Sequence, residues 1–481
     1  NLQSAKKYLD SIDRIKLSAT LLFQYEQLIT YDDQLTKIQS ILLATPDLLT
    51  TALGLDNPQT YLVLSQNSDE LRPSGGFVST YGWLTIRNGR VENYDYSPST
   101  ADSPHPPPDS LADQIEIPEW WLGYEHPVYA AWDGSWTPNF PDTAKRAIWY
   151  YNAGNNPQSP VHGVIAIDIV AFEHILQALG QVTVTEGGRT VVVTPDNFRD
   201  VIYQIRDYGQ GDLPHKQFLS ATFHQIFSDW QAISGDPTKS AAILGALVQS
   251  LREKHIMLYF DNEQMNNALD LLSWSGRQAD AIGEDYLMVV DANLGNKSNS
   301  SVIRQTTYDV AINTDRSVSG QVTVAYDYPD SVASKDPAVN ALYNGPLTYN
   351  NLLQVYTPVN STLVSNKGDY INLKAYSYPV NTLFTSIVSV PYNGSESFQM
   401  SYTAPDVVEM VGGYERYRLL IQKQPGMQAE LVNVQVSLPA NATLISSSPN
   451  ADASYNIEQP LLEYRLALTS DTTIEVVYQI K

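Results

Sequence analysis

Asp69, Glu70 and Arg72 fall within four positions of one another in "SQNSDELRPSGGFVSTYGWLTI", residues 65–86, in what reads as a turn between two apolar strands. Two carboxylates and a guanidinium placed there could do anion chemistry, because the planar fork of an arginine suits a phosphate and an acid beside it can orient that fork or hold a cation. The same residues also make a plain surface turn. In that reading Asp69 and Glu70 satisfy turn amides, Gly75 and Gly76 relax the backbone, and Arg72 pairs with a neighbouring acid. The stretch by itself leaves both open.

The remaining inventory narrows the chemistry. The 481 residues include no Cys, which removes disulfides, thiolate metal sites and Cys nucleophiles. There is no G-x-S-x-G elbow, no Walker loop and no H-E-x-x-H zinc helix, and the seven His are scattered, so hydrolase and NTPase readings lose their support. His174 in "AFEHILQALG" reads as a satisfied helix residue and takes no role. "DGSWTPNFPD", residues 133–142, is rich in oxygen ligands yet lacks the spacing and closing Glu of a calcium loop, and reads as a loop capping the helix of "TAKRAIWYY". A formal net charge of -23 argues against a nucleic-acid partner and against anionic lipid.

Three textures must position these residues. Residues 1–56 carry apolar positions at helical spacing (Leu2, Ala5, Leu9, Ile12) and predict a helical N-terminal segment. Residues 57–290 alternate strands such as "YLVLS" and "GVIAID" with helical stretches such as "FLSATFHQIFSDW", the pattern of an α/β domain. In it, residues 60–66, 77–87 and 162–168 are expected in one sheet, and the Pro-rich run 97–110 is expected as a loop. Residues 291–481 alternate apolar and polar positions between Gly, Pro and Asn turns and predict a β-sandwich region, one or two Ig-like sandwiches. No run of about 18 apolar residues is present to cross a membrane as a helix. The chain opens on Asn1 and is read as a mature form or fragment.

Three segments of the middle region together resemble the LytR-CpsA-Psr family. "PVHGVIAIDIVAFEHILQALGQVTV" is similar to its strand, helix and "alGGVtV" strand, "YLVLSQNSDELRPSGGF" sits where it has "GxDxR...GRSD", and "VIYQIRDYGQGDLPHKQFLSATFHQIF" falls where it has "yvRxR...gDfgRxxRQ". From about residue 57 onward the chain looks more like an uncharacterised family of bacterial surface proteins that join such a domain to a β-rich tail. The signatures of that likeness are "NSDELRPSGGF", "SWTPNFPDTA", "HGVIAID", "LGNKS" and "YRLLIQKQPG".

The LytR-CpsA-Psr resemblance implies a mixed sheet flanked by helices. It further implies transfer of a polyisoprenyl-pyrophosphate-linked glycan to the cell wall, with arginines and a divalent cation, Mg2+, on the pyrophosphate. Residue by residue the match is partial. Arg72 takes the place of the "GRSD" arginine, but Pro73-Ser74 stand where the Ser-Asp should be, leaving Asp69 or Glu70 as substitutes. Arg206 matches the first arginine of "RxR", whereas the second is Tyr208, and "RxxRQ" is reduced to Lys216-Gln217. The implied anion or glycan pocket is therefore Asp69, Glu70, Arg72, Arg206, Lys216 and Gln217, with Arg72 and Arg206 on one side of the sheet.

Five N-x-S/T sequons, at Asn296, Asn299, Asn360, Asn393 and Asn441, could accept glycans. Low charge density and abundant Tyr and Thr suit display at a surface. The expectation is an extracytoplasmic bacterial cell-surface protein, structural or glycan-binding, with copies of itself or cell-envelope glycan as partners and self-association through the β region or the N-terminal helices. The alternative is a working glycopolymer phosphotransferase.

Overall fold

A computed structural model describes residues 2–12, 28, 32, 35–40, 43, 50–121, 134–208, 212–233, 235–368, 370–456 and 459–480. Within the segment expected to be helical, α1 (Leu2–Asp10) and residues 35–40 are helical; most of the rest lies outside the described residues.

The α/β unit begins with β1 (Gln59–Arg72), β2 (Gly75–Arg87), β3 (Arg90–Pro98) and β4 (Gly163–Asp168). A separate hairpin, β5 (Val182–Glu186) and β6 (Arg189–Val193), follows, and β7 (Ile256–Phe260) completes a mixed sheet in the order β3-β2-β1-β4-β7. β1 runs antiparallel to β2 and parallel to β4, so the three segments expected to share a sheet do. Central placement explains the nearly continuous burial of β1, since both of its edges are paired and both faces are covered. On one face Leu62 and Leu64 pack on α2 (Phe140–Ala153). The other face carries α3 (Ile169–Leu179), α4 (Phe198–Tyr208), α5 (Asp212–Ala232) and α6 (Pro237–Arg252), with α7 (Glu263–Leu271) after β7. Asp168 starts α3 by accepting from the Ala171 amide at 2.9 Å, and its second oxygen meets His255 Nδ1 at 2.6 Å.

Among the described residues, fifteen strands make up the β region. They are β8 (Asp285–Val290), β9 (Ile303–Ile312), β10 (Val318–Tyr328), β11 (Tyr349–Thr357), β12 (Thr362–Gly368), β13 (Ile371–Ser377), β14 (Thr382–Val390) and β15 (Gly394–Ala404), then β16 (Val408–Val411), β17 (Tyr414–Ile421), β18 (Glu430–Ser437), β19 (Ala442–Ser448), β20 (Ala453–Asn456), β21 (Pro460–Leu468) and β22 (Thr472–Ile480). One sheet runs β12-β15-β10-β9-β18-β21-β20. The other runs β13-β14-β11-β8-β17-β22-β19, with β16 added to β17. A single apolar core spans both sheets, so this is one wide sandwich, joined through its middle by the parallel pairs β9/β18 and β8/β17.

Two expectations need correction. The boundary read at residue 290 falls too late, because β8 is an inner strand of the sandwich. It is buried on both faces: Leu287 and Val289 enter the sandwich core, while Tyr286, Met288 and Val290 pack with Trp120, Trp121 and Trp136 of the α/β unit. Tyrosines read as surface-display residues are also largely interior. Tyr308, Tyr326, Tyr402 and Tyr417 are fully buried, their hydroxyls bonded to buried groups such as Asp285 and Asp291.

Candidate functional site at the end of β1

The acids do not sit in a turn. β1 continues to Arg72, and the ladder to β2 is irregular between Asn67 and Leu71, which frees Ser68, Asp69 and Glu70 from regular pairing. The turn itself is Pro73-Ser74, followed by Gly75 at φ 127°, where an added Cβ would meet the Gln66 amide oxygen at 2.2 Å. The bulge points its acids at two different partners.

Asp69, 1% exposed, faces α4. It accepts from Arg199 Nη1 at 2.7 Å and from the Tyr203 hydroxyl at 2.7 Å, and the Ser300 hydroxyl also donates to it. The other arm of Arg199 reaches Asp336 of the sandwich at 2.8 Å, and Asp336 takes a further bond from the Ser301 hydroxyl at 2.7 Å. Burial alone would lower the Arg199 pKa, but Asp69 and Asp336 hold it above its usual value. Burial, reinforced by Asp69, pushes the Tyr203 phenol well up, so it stays a donor.

Glu70 lies between two cations, Arg72 Nη2 at 3.2 Å and Lys297 Nζ at 3.1 Å. Arg72 also donates to the Asn293 carbonyl at 2.6 Å, and its guanidinium lies 5.4 Å from the centre of the Phe77 ring. Backbone bonds continue the seam. The Leu71 amide donates to Asn299 Oδ1 at 3.0 Å, and Gln424 Nε2 donates to the Arg72 carbonyl at 3.2 Å. Ser74 meets Ser135 and Thr143 through its hydroxyl at 2.7 and 2.8 Å. The "NSDELRPSGGF", "SWTPNFPDTA", "LGNKS" and "YRLLIQKQPG" segments thus converge on one polar seam between the α/β unit and the sandwich.

Three cations, Arg72, Arg199 and Lys297, face three carboxylates, Asp69, Glu70 and Asp336, in this seam. A dianion would meet no net positive charge there and would have to displace a carboxylate from each guanidinium. Asp69 and Glu70 fit a Mg2+ ion equally poorly, since both are spent on cations. No group of three or more His, Asp or Glu among the described residues could hold a metal.

The side chains of Arg206 and Lys216, and with them the expected placing of Arg72 and Arg206 on one side of the sheet, lie outside the described residues; Gln217 is exposed on α5. The sequence analysis does not single out Arg199, although Arg199 and Tyr203, at i and i+4, share one face of α4. Between β1, β2 and helices α3 to α5, the apolar side chains leave a void of only about 10 Å3, and Phe172 and Phe223 stack there at 4.0 Å. Of the sequons, Asn360, Asn393 and Asn441 are exposed, while Asn296 is buried and donates to the Thr348 carbonyl at 2.8 Å.

Among curated proteins none matches the chain. Among solved structures, B. subtilis TagV aligns at 12% identity over 46% of this chain and 80% of its own, with a TM-score of 0.27. The Lin1025 protein of Listeria innocua aligns at 13% identity over 45% of this chain and 80% of its own, with a TM-score of 0.24. Leukotriene A4 hydrolase of Saccharomyces cerevisiae aligns at 9% identity over 38% of this chain and 30% of its own, also at 0.24. Such scores decide neither fold nor activity. Residues 56–205, the first part of the α/β unit, match the family described as "Protein of unknown function (DUF4012)".

Proposed function

We propose that this chain is an extracytoplasmic bacterial cell-surface protein with a structural or glycan-binding role, distantly related to the LytR-CpsA-Psr transferases but using their anion-site positions to hold two units together. One observation carries the reading: each seam cation at the end of β1 is matched by a buried or half-buried carboxylate of the same chain. The surface location rests on the low charge density and Tyr- and Thr-rich composition and on the resemblance of the five signatures. Copies that associate would meet face to face. Three outer strands, β12, β13 and β19, are bulged, β20 has four residues, and Lys367 and Lys374 stand on exposed edges, all features that blunt strand addition.

The test is a lipid-linked glycan transfer assay with Mg2+, run beside electron microscopy of the same preparation. The reading expects no turnover above a protein-free control. Metal-dependent turnover that disappears in a folded Arg72→Ala variant would restore the phosphotransferase.

A further inference from the structure

An open cleft of about 780 Å3 lies between the N-terminal end of α2, α7 and the turn joining β13 to β14, away from the β1 seam. Its size is within the range of about 300 to 1,000 Å3 common for small-ligand sites. Five carboxylates line it, Asp142, Asp261, Glu263, Asp270 and Asp280, against two cations, and one of those, Arg277, is tied to Asp270 at 3.0 Å.

The walls carry more than charge. Tyr378 is 38% exposed, and its hydroxyl accepts from buried Trp120 Nε1 at 2.8 Å, so a half-open ring is held in a fixed pose. Tyr356 is pinned through its hydroxyl to Gln354 at 2.9 Å. Asn139, Asn266, Asn267, Gln278 and Asn381 add side-chain amides to the lining.

We infer that this cleft binds an uncharged or amine-bearing oligosaccharide. Vicinal hydroxyls both donate and accept, which matches a wall of paired-oxygen carboxylates and side-chain amides, while a fixed tyrosine ring offers an apolar surface to a sugar face. The excess of carboxylates repels phosphate-bearing and uronic-acid chains. The walls are tied to one another at the start of α2, where the Phe140 amide donates to the Gly276 carbonyl at 3.2 Å and the Gln278 amide to Asn139 Oδ1 at 3.1 Å. The inference rests on the glycan-binding half of the function proposed above and gives it a seat.

Isothermal titration of the full chain with chitotriose, its fully de-N-acetylated counterpart and trigalacturonate tests it. Saturable binding of either of the first two is expected, weakened at least tenfold in Tyr378→Ala and largely kept in Tyr378→Phe, with none for trigalacturonate. In Asp261→Asn, a surface change that leaves the fold intact, the amine-bearing sugar should lose more than the neutral one. Binding unchanged in Tyr378→Ala would overturn the cleft while leaving a glycan-binding role elsewhere. Absence of binding to either sugar at millimolar concentration would overturn both, and preference for trigalacturonate would overturn the charge argument.

Discussion

Arg199 on α4 and Asp336 in the sandwich meet at 2.8 Å, while the same guanidinium holds Asp69 of the β1 bulge at 2.7 Å. One arginine therefore spans the two units and neutralises an acid from each. Replacing it leaves two buried carboxylates facing each other without a counter-charge, and breaking a buried pair in this way costs about 3 to 5 kcal/mol. Arg199→Met should lower the urea midpoint accordingly, with Arg199→Lys in between because an ammonium lacks the two-armed reach. A loss below about 1 kcal/mol in Arg199→Met would contradict the assignment.

Asp285 gives the sandwich a pH dependence. It is fully buried and takes hydrogen bonds from Tyr417 at 2.5 Å and Tyr308 at 2.8 Å. Burial raises its pKa to about 6, and the tyrosine hydroxyls only partly offset this. The folded state therefore binds the proton more tightly than the unfolded chain, and this stabilisation is complete below about pH 4 and lost as pH rises through about 6. Asp285→Asn removes the titration. The difference in melting temperature between variant and parent should move in the variant's favour from pH 4 to pH 7, and a flat difference would refute the assignment.

Gly426 closes the seam from the sandwich side. Its φ is 74°, and a Cβ added there would lie 2.9 Å from the Gly75 Cα. Gly426→Ala therefore combines backbone strain with a backbone clash and should cost more than about 1 kcal/mol. Gly413, at φ 88° with nothing within 4 Å of an added Cβ, supplies the control, since Gly413→Ala carries the strain alone. Equal losses in thermal melts of the two variants would argue against the tight approach at Gly75.

The sequons divide by burial. In a host that glycosylates Asn, exposed Asn360, Asn393 and Asn441 should be occupied, while Asn296 and Asn299 should stay bare because their side chains bond within the seam. Glycopeptide mass spectrometry reads this directly. Occupancy at Asn296 in folded protein would contradict the seam.

Periodicity made much of the fold legible. The strands around "YLVLS" and "GVIAID" are apolar runs bounded by turn signals, and they pair as expected. β8 was assigned to the wrong unit because "DYLMVV" is apolar on both faces, a pattern that fits the middle of either sheet. The acids of the β1 bulge stand out in the sequence, but their partners Arg199 and Lys297 lie 130 and 227 positions away, and only the fold brings them together. Nothing in a one-dimensional spacing distinguishes an arginine that awaits a phosphate from one already held by Glu70.

The central claim is that the cations at the end of β1 serve the fold and not a pyrophosphate. Calorimetric titration with geranyl pyrophosphate in the presence of Mg2+, on the parent and on Arg72→Ala, tests it most directly. The account predicts no saturable binding to either protein up to about 1 mM, together with a lower melting temperature for Arg72→Ala because Glu70 and the Asn293 carbonyl lose their partner. Saturable binding to the parent that vanishes in a variant of unchanged melting temperature would contradict it.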